Sequence, residues 1–205
     1  MSPSAPRCMS RRAALADSDN VMYYTLGTDG QENTYMGLKT GQNSHVSLMG
    51  GRLLDIKTDE IELPYRYTMM VDAGEAPRMY DFYPGAFLMT QRLTSALQAA
   101  GVDNLQLFAC KIKREHTTKE VDGYTTVNVI GRLACAAPTA STSMPVGNSK
   151  YYTKLAIDPA KAKGQLMFRL KESPLLILLH ESVVKAIETE KFTGLAFKPI
   201  AEVTA

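Results

Sequence analysis

Tryptophan is absent from this chain, and cysteine and histidine are scarce: its 205 residues hold no Trp, three Cys and three His. An odd, thin set of cysteines (Cys8, Cys110 and Cys135, with no CxxC pair) excludes a disulfide framework. None of His45, His116 and His180 stands at metal-ligand spacing from another or from a cysteine, so no metal site is expected. A dominant charge is missing too. Lys+Arg number 23 against 21 Asp+Glu, a net +2, whereas a dedicated nucleic-acid binder carries a clustered basic excess. Lys111, Lys113 and Arg114 form the one dense basic run, and it reads as the wet face of a strand.

Long apolar stretches are lacking as well. The run Leu175 to Leu179 is far short of the roughly 20 residues of a membrane helix. The first twenty positions carry Arg7, Arg11 and Arg12 but no apolar core of the kind an export signal needs. These absences lead to the expectation of a cytoplasmic protein with no membrane and no nucleic-acid partner.

Catalytic signatures are missing from the text: no GxSxG elbow, Walker loop, GxGxxG, HExxH or EF-hand loop occurs. Met49-Gly50-Gly51-Arg52 lacks the lysine and second glycine of a phosphate loop and reads as a turn. Asp59, Glu60 and Glu62 form an acidic cluster that would need a facing partner in a cleft to do acid/base work. A solvated charge run is the plainer reading. No catalytic residue, cofactor or metal is therefore assigned, and the chain is not expected to be an enzyme.

What is present is ordinary globular material, 45% hydrophobic and 21% charged, long enough to bury a core. Residues 1–20 read as a tail, with Met1, Met9 and Met22 each able to serve as the start, and 21–203 read as one domain. The expected class is α+β, with a mixed or antiparallel sheet and two main helices near 90–100 and 181–191. Strands are predicted at Val21–Leu26, Thr34–Leu38 (returning after the turn at Gly27–Gly30), Tyr65–Val71, Phe87–Met89, Leu105–Ile112, Leu166–Leu170, Pro174–Leu179 and Leu195–Ile200. Thr90 can cap a helix whose face is Leu93, Ala96, Leu97 and Ala100, with Gly101 closing it. The second main helix shows Val183, Ala186 and Ile187 on one face. Asp158 caps a short helix with Pro159 in its first position and Gly164 beyond. Asp122-Gly123 is a two-residue hairpin signal, which would pair Val121 with Tyr124, Ile112 with Leu133 and Cys110 with Cys135. Both cysteines then read as small buried hydrophobes. Residues 136–150 read as a long flexible loop.

Phe87–Ala109 and Ile177–Pro199 repeat one layout, strand–helix–strand, with Leu93 matching Val183, Ala96 matching Ala186, Leu97 matching Ile187 and Leu105 matching Leu195. Internal duplication or similar core demands can each produce that echo. The same segments carry a family resemblance. The strings FLMTQRLTSALQAAGVDNLQLFACKI (87–112), YTTVNVIGRLACA (124–136) and LAIDPAKAKGQLMFRLKESPLLILLHESVVKAIETEKFTGLAFKPI (155–200) resemble the bacterial polymorphic-toxin immunity family numbered eleven, formerly a domain of unknown function. The likeness covers roughly 83–202. The family opens its two helices with Ser, where this chain has Thr90 and His180. The resemblance implies a protein that binds and neutralises a cognate toxin delivered between bacteria, one to one, and it brings no catalytic residues with it. A small enzyme or ligand-binding domain with an acidic cleft is the alternative, and a structural subunit of a larger complex is a third.

An immunity protein must discriminate among related toxins, and specificity varies most easily on loops held by a rigid scaffold. The expected contact surface is therefore the hairpin tip Arg114–Tyr124, with Arg114, His116, Lys119 and Glu120, together with the loop 138–152 and its Tyr151 and Tyr152. The ten tyrosines make aromatic anchors available, and tyrosine loses little rotamer entropy on docking.

Overall fold

The computed structural model describes residues 22–30, 33–72 and 74–202; the tail 1–20, with Cys8, lies outside them. The chain forms strands β1 (Tyr23–Gly27), β2 (Thr34–Leu38), β3 (Tyr65–Val71), β4 (Phe82–Tyr83) and β5 (Leu88–Thr90), then helix α1 (Gln91–Ala99). Strands β6 (Leu105–Phe108), β7 (Cys110–Arg114), β8 (Glu120–Val121), β9 (Tyr124–Val129), β10 (Arg132–Leu133), β11 (Thr142–Val146) and β12 (Ser149–Lys154) follow. Helix α2 (Pro159–Ala162), strands β13 (Met167–Leu170) and β14 (Ser173–His180), helix α3 (Glu181–Ile187) and strand β15 (Ala196–Pro199) complete it. The class is α+β, with strands dominating. The strands make several sheets: a five-stranded one in the order β10-β13-β14-β1-β15, two four-stranded ones ordered β4-β5-β9-β6 and β2-β3-β7-β8, and the β11-β12 pair. Two pairings are parallel, β10 with β13 and β3 with β7.

Local chemistry places the helices as expected. Thr90 sits extended and its hydroxyl accepts from the Leu93 amide, which satisfies one of the donors that a helix start leaves orphaned. Leu93, Ala96 and Leu97 turn inward. Gly101 closes the helix at φ +96°, a conformation costly for any residue with a Cβ. Asp158 caps α2 by accepting from the Ala160 amide, and His180 caps α3 by accepting from the Ser182 amide. Helix α3 ends at Ile187 and tightens into a 3-10 turn over Glu188–Glu190, and it buries Val183, Val184 and Ile187, while Ala186 faces solvent.

Three cores hold these sheets. The largest takes Leu93 and Leu97 from α1, Val183, Val184 and Ile187 from α3, and Leu26, Met89, Val127, Val129, Met167 and Leu179 from the two sheets they cover. A second is rich in tyrosine and lies under β3 and β7, with Tyr65, Tyr67, Tyr80, Tyr83, Phe108 and Ile112. A third takes Tyr23, Cys135, Tyr152, Leu155, Phe168 and Leu178.

A buried carboxylate ties the two helical units together. Asp81 accepts from Thr90 Oγ1 at 2.6 Å, from Arg92 Nη2 at 2.8 Å and from the Thr193 amide at 2.7 Å. Burial pushes its carboxyl upward, but those hydrogen bonds outweigh burial and hold it below the usual carboxylate range. The Arg92 guanidinium also stacks on the Phe192 ring at 4.2 Å.

Four expectations are corrected by the sheet order. Strand β2 does not return on β1; it pairs antiparallel with β3 in another sheet. The expected strand Leu105–Ile112 breaks at Ala109 into β6 and β7, which belong to different sheets. The break follows from its side chains, because Leu105 packs on the helical core and Ile112 on the tyrosine core. The Asp122-Gly123 hairpin does not form. Gly123 has the expected positive φ, +85°, but its carbonyl accepts from the Gln91 amide at the start of α1. The actual reversal lies at 115–119, so Ile112 faces Val121, and β9 pairs instead with β6, Phe108 opposite Thr126. Cys110 and Cys135 thus sit in different cores, both as free thiols. The fourth correction concerns 136–150, which is not an irregular loop: β11 occupies 142–146, and Gly147-Asn148 forms a tight turn into β12.

Candidate functional site

Two projections carry the sequence-predicted contact residues. The first is the β7-β8 tip. His116 takes φ +55° there, the Arg114 amide donates to Lys119 O at 3.1 Å, and the Glu115 amide donates to Met69 O at 2.9 Å. Thr117 stiffens the turn, its amide and its hydroxyl both donating to Arg114 O at 3.2 Å. His116, Lys119 and Glu120 are exposed and Arg114 is half-buried. The tip overhangs a hollow of about 740 Å³ lined by Thr68 and residues 113–119.

The second projection is the β11-β12 hairpin, and it separates the two predicted tyrosines. Successive side chains of a strand point to opposite faces. Tyr152 is buried to 1% against the third core, so it supports the hairpin and is not available to a partner. Tyr151 is 40% exposed on the other face. Met144, its cross-strand partner, and Val146 are exposed on that face too. These two residues were not legible as surface candidates while 136–150 read as a loop. The Gly147-Asn148 pair between two runs of strand-forming residues was the available signal. Among the described residues no strand pairing or hydrogen bond joins this hairpin to the β7-β8 tip.

The acidic cluster does not assemble into an acid/base site. Asp59 pairs with Arg52 and accepts from the Asp55 amide at 2.8 Å, so its carboxyl is held down to about 2, chiefly by the Arg52 hydrogen bond. Glu62 pairs with Arg66, and Glu60 is an exposed turn residue at φ +50°. Asp59 and Glu62 thus pair with different arginines and do not converge on a shared cleft. Among the described residues no group of three or more His, Cys, Asp or Glu is arranged to hold a metal ion. Burial pushes the Cys135 thiol up to about 12 and the Cys110 thiol up to about 11, which keeps both protonated and unreactive. His45 rests on the Asp59 carbonyl at 2.9 Å, and a turn closes from Ser47 to Gly50, with a bend at Arg52.

Among the described residues one buried charge has no counter-ion. Arg169 is 2% exposed, donates through Nη1 to Pro174 O at 2.9 Å and lies over the Phe87 ring at 5.6 Å, while its Nε has no partner. Burial lowers its guanidinium to about 10. Among the described residues no carboxylate pairs with it, an arrangement that costs stability.

The family model of an immunity protein family (Imm11) matches residues 26–202. The chain therefore belongs to that family of immunity proteins, whose general role is to counter a toxin. No curated protein matches the chain. Among the described residues no helix is long and apolar enough to cross a membrane.

Proposed function

We propose that this protein neutralises one cognate toxin of a bacterial polymorphic-toxin system by binding it stoichiometrically in the cytoplasm, without catalysis. The observation that carries the reading is the family match across 26–202. The distribution of polar groups supports it. Asp59 and Glu62 are paired with arginines, His180 caps α3 and Cys135 is buried, whereas the two projecting hairpins present exposed side chains such as His116, Lys119, Met144 and Tyr151. Residues 21–203 act as one unit in this reading.

The test is co-expression with the toxin encoded beside the gene. Cells carrying both should grow, cells carrying the toxin alone should not, and the purified pair should co-elute at one to one. Growth arrest despite well-expressed, folded protein would falsify the reading.

A further inference from the structure

We propose that the hollow at the open end of the β10-β13-β14 sheet face is a carboxylate-binding site, with Arg132 in its wall and the uncompensated charge of Arg169 behind it, and that an Asp or Glu side chain of the toxin fills it. The proposal rests on the immunity reading above and adds to it the docking point and the chemistry of the partner.

Register puts the two arginines on one face. Arg132 and Arg169 are Cα partners in the parallel β10-β13 pairing, and Arg169 is opposite Ile177 in the antiparallel β13-β14 pairing, so the three side chains lie on the same side of the sheet. Ile177 packs in the helical core, and Leu175, two residues before it, is on that side as well. The opposite side carries Leu133, Phe168, Leu170 and Leu178, which pack in the third core. Where β10 and the start of β14 meet solvent, the arginine face opens into a hollow of about 310 Å³ lined by Ser47, Met49, Arg132, Ser149, Pro174 and Leu175. Arg169 stands directly behind its wall, donating from Nη1 to Pro174 O at 2.9 Å.

Charge decides what the hollow takes. A guanidinium only 2% exposed ordinarily faces a carboxylate. Among the described residues no ion pair includes Arg169 or Arg132. The Arg169 Nε has no partner, and burial lowers the guanidinium with no carboxylate opposing it. Arg132 donates to Lys171 O at 2.9 Å and is otherwise exposed. Glu172, in the β13-β14 turn, acts on Cys135 and Tyr152 of the third core, on the other side of the sheet. A charge left uncompensated in the interior lowers stability, and such exceptions gather at functional positions.

An anion in the hollow supplies the missing counter-charge, and the lining fits a carboxylate borne on a side chain. Arg132 can meet it with two parallel N–H groups, and the hydroxyls of Ser47 and Ser149 can donate to its oxygens. Met49, Pro174 and Leu175 form an apolar collar for the methylenes that carry it, which a free, fully hydrated anion would not use. Arg169 does not touch the ligand; it raises the potential of the hollow from behind Pro174, where little water screens it.

The experiment is calorimetric titration of a harmless variant of the toxin encoded beside the gene into wild-type protein, Arg132→Gln and Arg169→Met, with folding checked by circular dichroism and melting. Each substitution should weaken binding by about 10-fold or more. A purely structural role for Arg169 would instead lower the melting temperature and leave the affinity alone. Among Asp→Asn and Glu→Gln variants of the toxin, one should lose the same factor and lose nothing more when combined with Arg132→Gln. Wild-type affinity in folded Arg132→Gln or Arg169→Met overturns the site; if Arg169→Met does not fold, Arg132→Gln and its coupling to a toxin carboxylate decide alone. Sodium acetate against sodium chloride at equal ionic strength tests the other source of a carboxylate. Stabilisation of the wild type by acetate, absent in Arg132→Gln, together with unchanged toxin affinity would show a site for a free carboxylate and overturn the docking. If wild-type protein itself does not bind the toxin, the immunity reading falls; if wild type and both variants bind it equally, only this site falls.

Discussion

The units β5-α1-β6 and β14-α3-β15 share a plan but differ in what stitches each together. In both, the helix start is capped by the last residue of the preceding strand, Thr90 or His180, at nearly the same backbone angles. In both, an antiparallel strand lies between the unit's own two: β9 between β5 and β6, β1 between β14 and β15. Strand β9 follows β6 in the chain, whereas β1 arrives from the opposite end of the sequence. The first unit therefore closes on nearby residues, and the second closes only when the two ends of the described chain meet. The caps differ correspondingly: Thr90 is locked to the buried Asp81, while His180 is a titratable ring packed edge-on to Tyr23 of β1 with centroids 5.4 Å apart.

The deepest perturbation should be one that both units feel. Leu97 and Val183 are fully buried in the core the two helices share. Leu97→Ala should cost about 2–5 kcal/mol in chemical denaturation, by lost transfer energy and the cavity left behind. If the units were independent, melting of Leu97→Ala would split into two transitions; a single shifted transition is expected.

A smaller effect should come from the stitch between them. Asp81→Ala leaves the donors of Thr193 and Arg92 without their acceptor and should cost about 1–3 kcal/mol. The folded carboxyl lies below its unfolded value. Its contribution is thus present above the unfolded carboxylate range near pH 4 and lost as pH falls through the folded value. The stability gap between wild type and Asp81→Asn should accordingly narrow on acidification below about pH 4.

The smallest expected effect separates the caps. Thr90→Ala and His180→Ala should each cost about 1 kcal/mol at pH 8. Burial lowers the His180 ring below the ordinary histidine value, against the opposing pull of Glu181. A lowered folded value means that the contribution is full above pH of about 6.5 and fades as pH falls through it, because a protonated ring cannot accept from the Ser182 amide. The His180→Ala deficit should shrink between pH 8 and pH 5 and the Thr90→Ala deficit should not; equal deficits at both pH values would show that His180 acts by packing alone.

Much of this molecule was written in local sequence. Apolar spacing, Thr90 and Gly101 specified α1, and Asp158-Pro159 specified α2, because caps and helical faces depend on residues a few positions apart. The strands 65–71 and 34–38 were legible to the residue for the same reason. Partners were not legible. The Asp122-Gly123 signal is sound turn chemistry, yet the tertiary structure spends it on a crossing between sheets, since pairing β9 with β6 buries Val127 and Val129 in the helical core. The contact residues show the same division. That a tyrosine pair followed a polar segment was visible, but only the packing of β12 on Phe168 and Leu155 decided that Tyr152 is core and Tyr151 surface. Sequence alone determined the helices, their caps and most of the longer strands, though not the β11-β12 hairpin. Tertiary structure alone decided which strands meet and which face stays in water, because burial is settled by residues far apart in the chain competing for the same apolar surface.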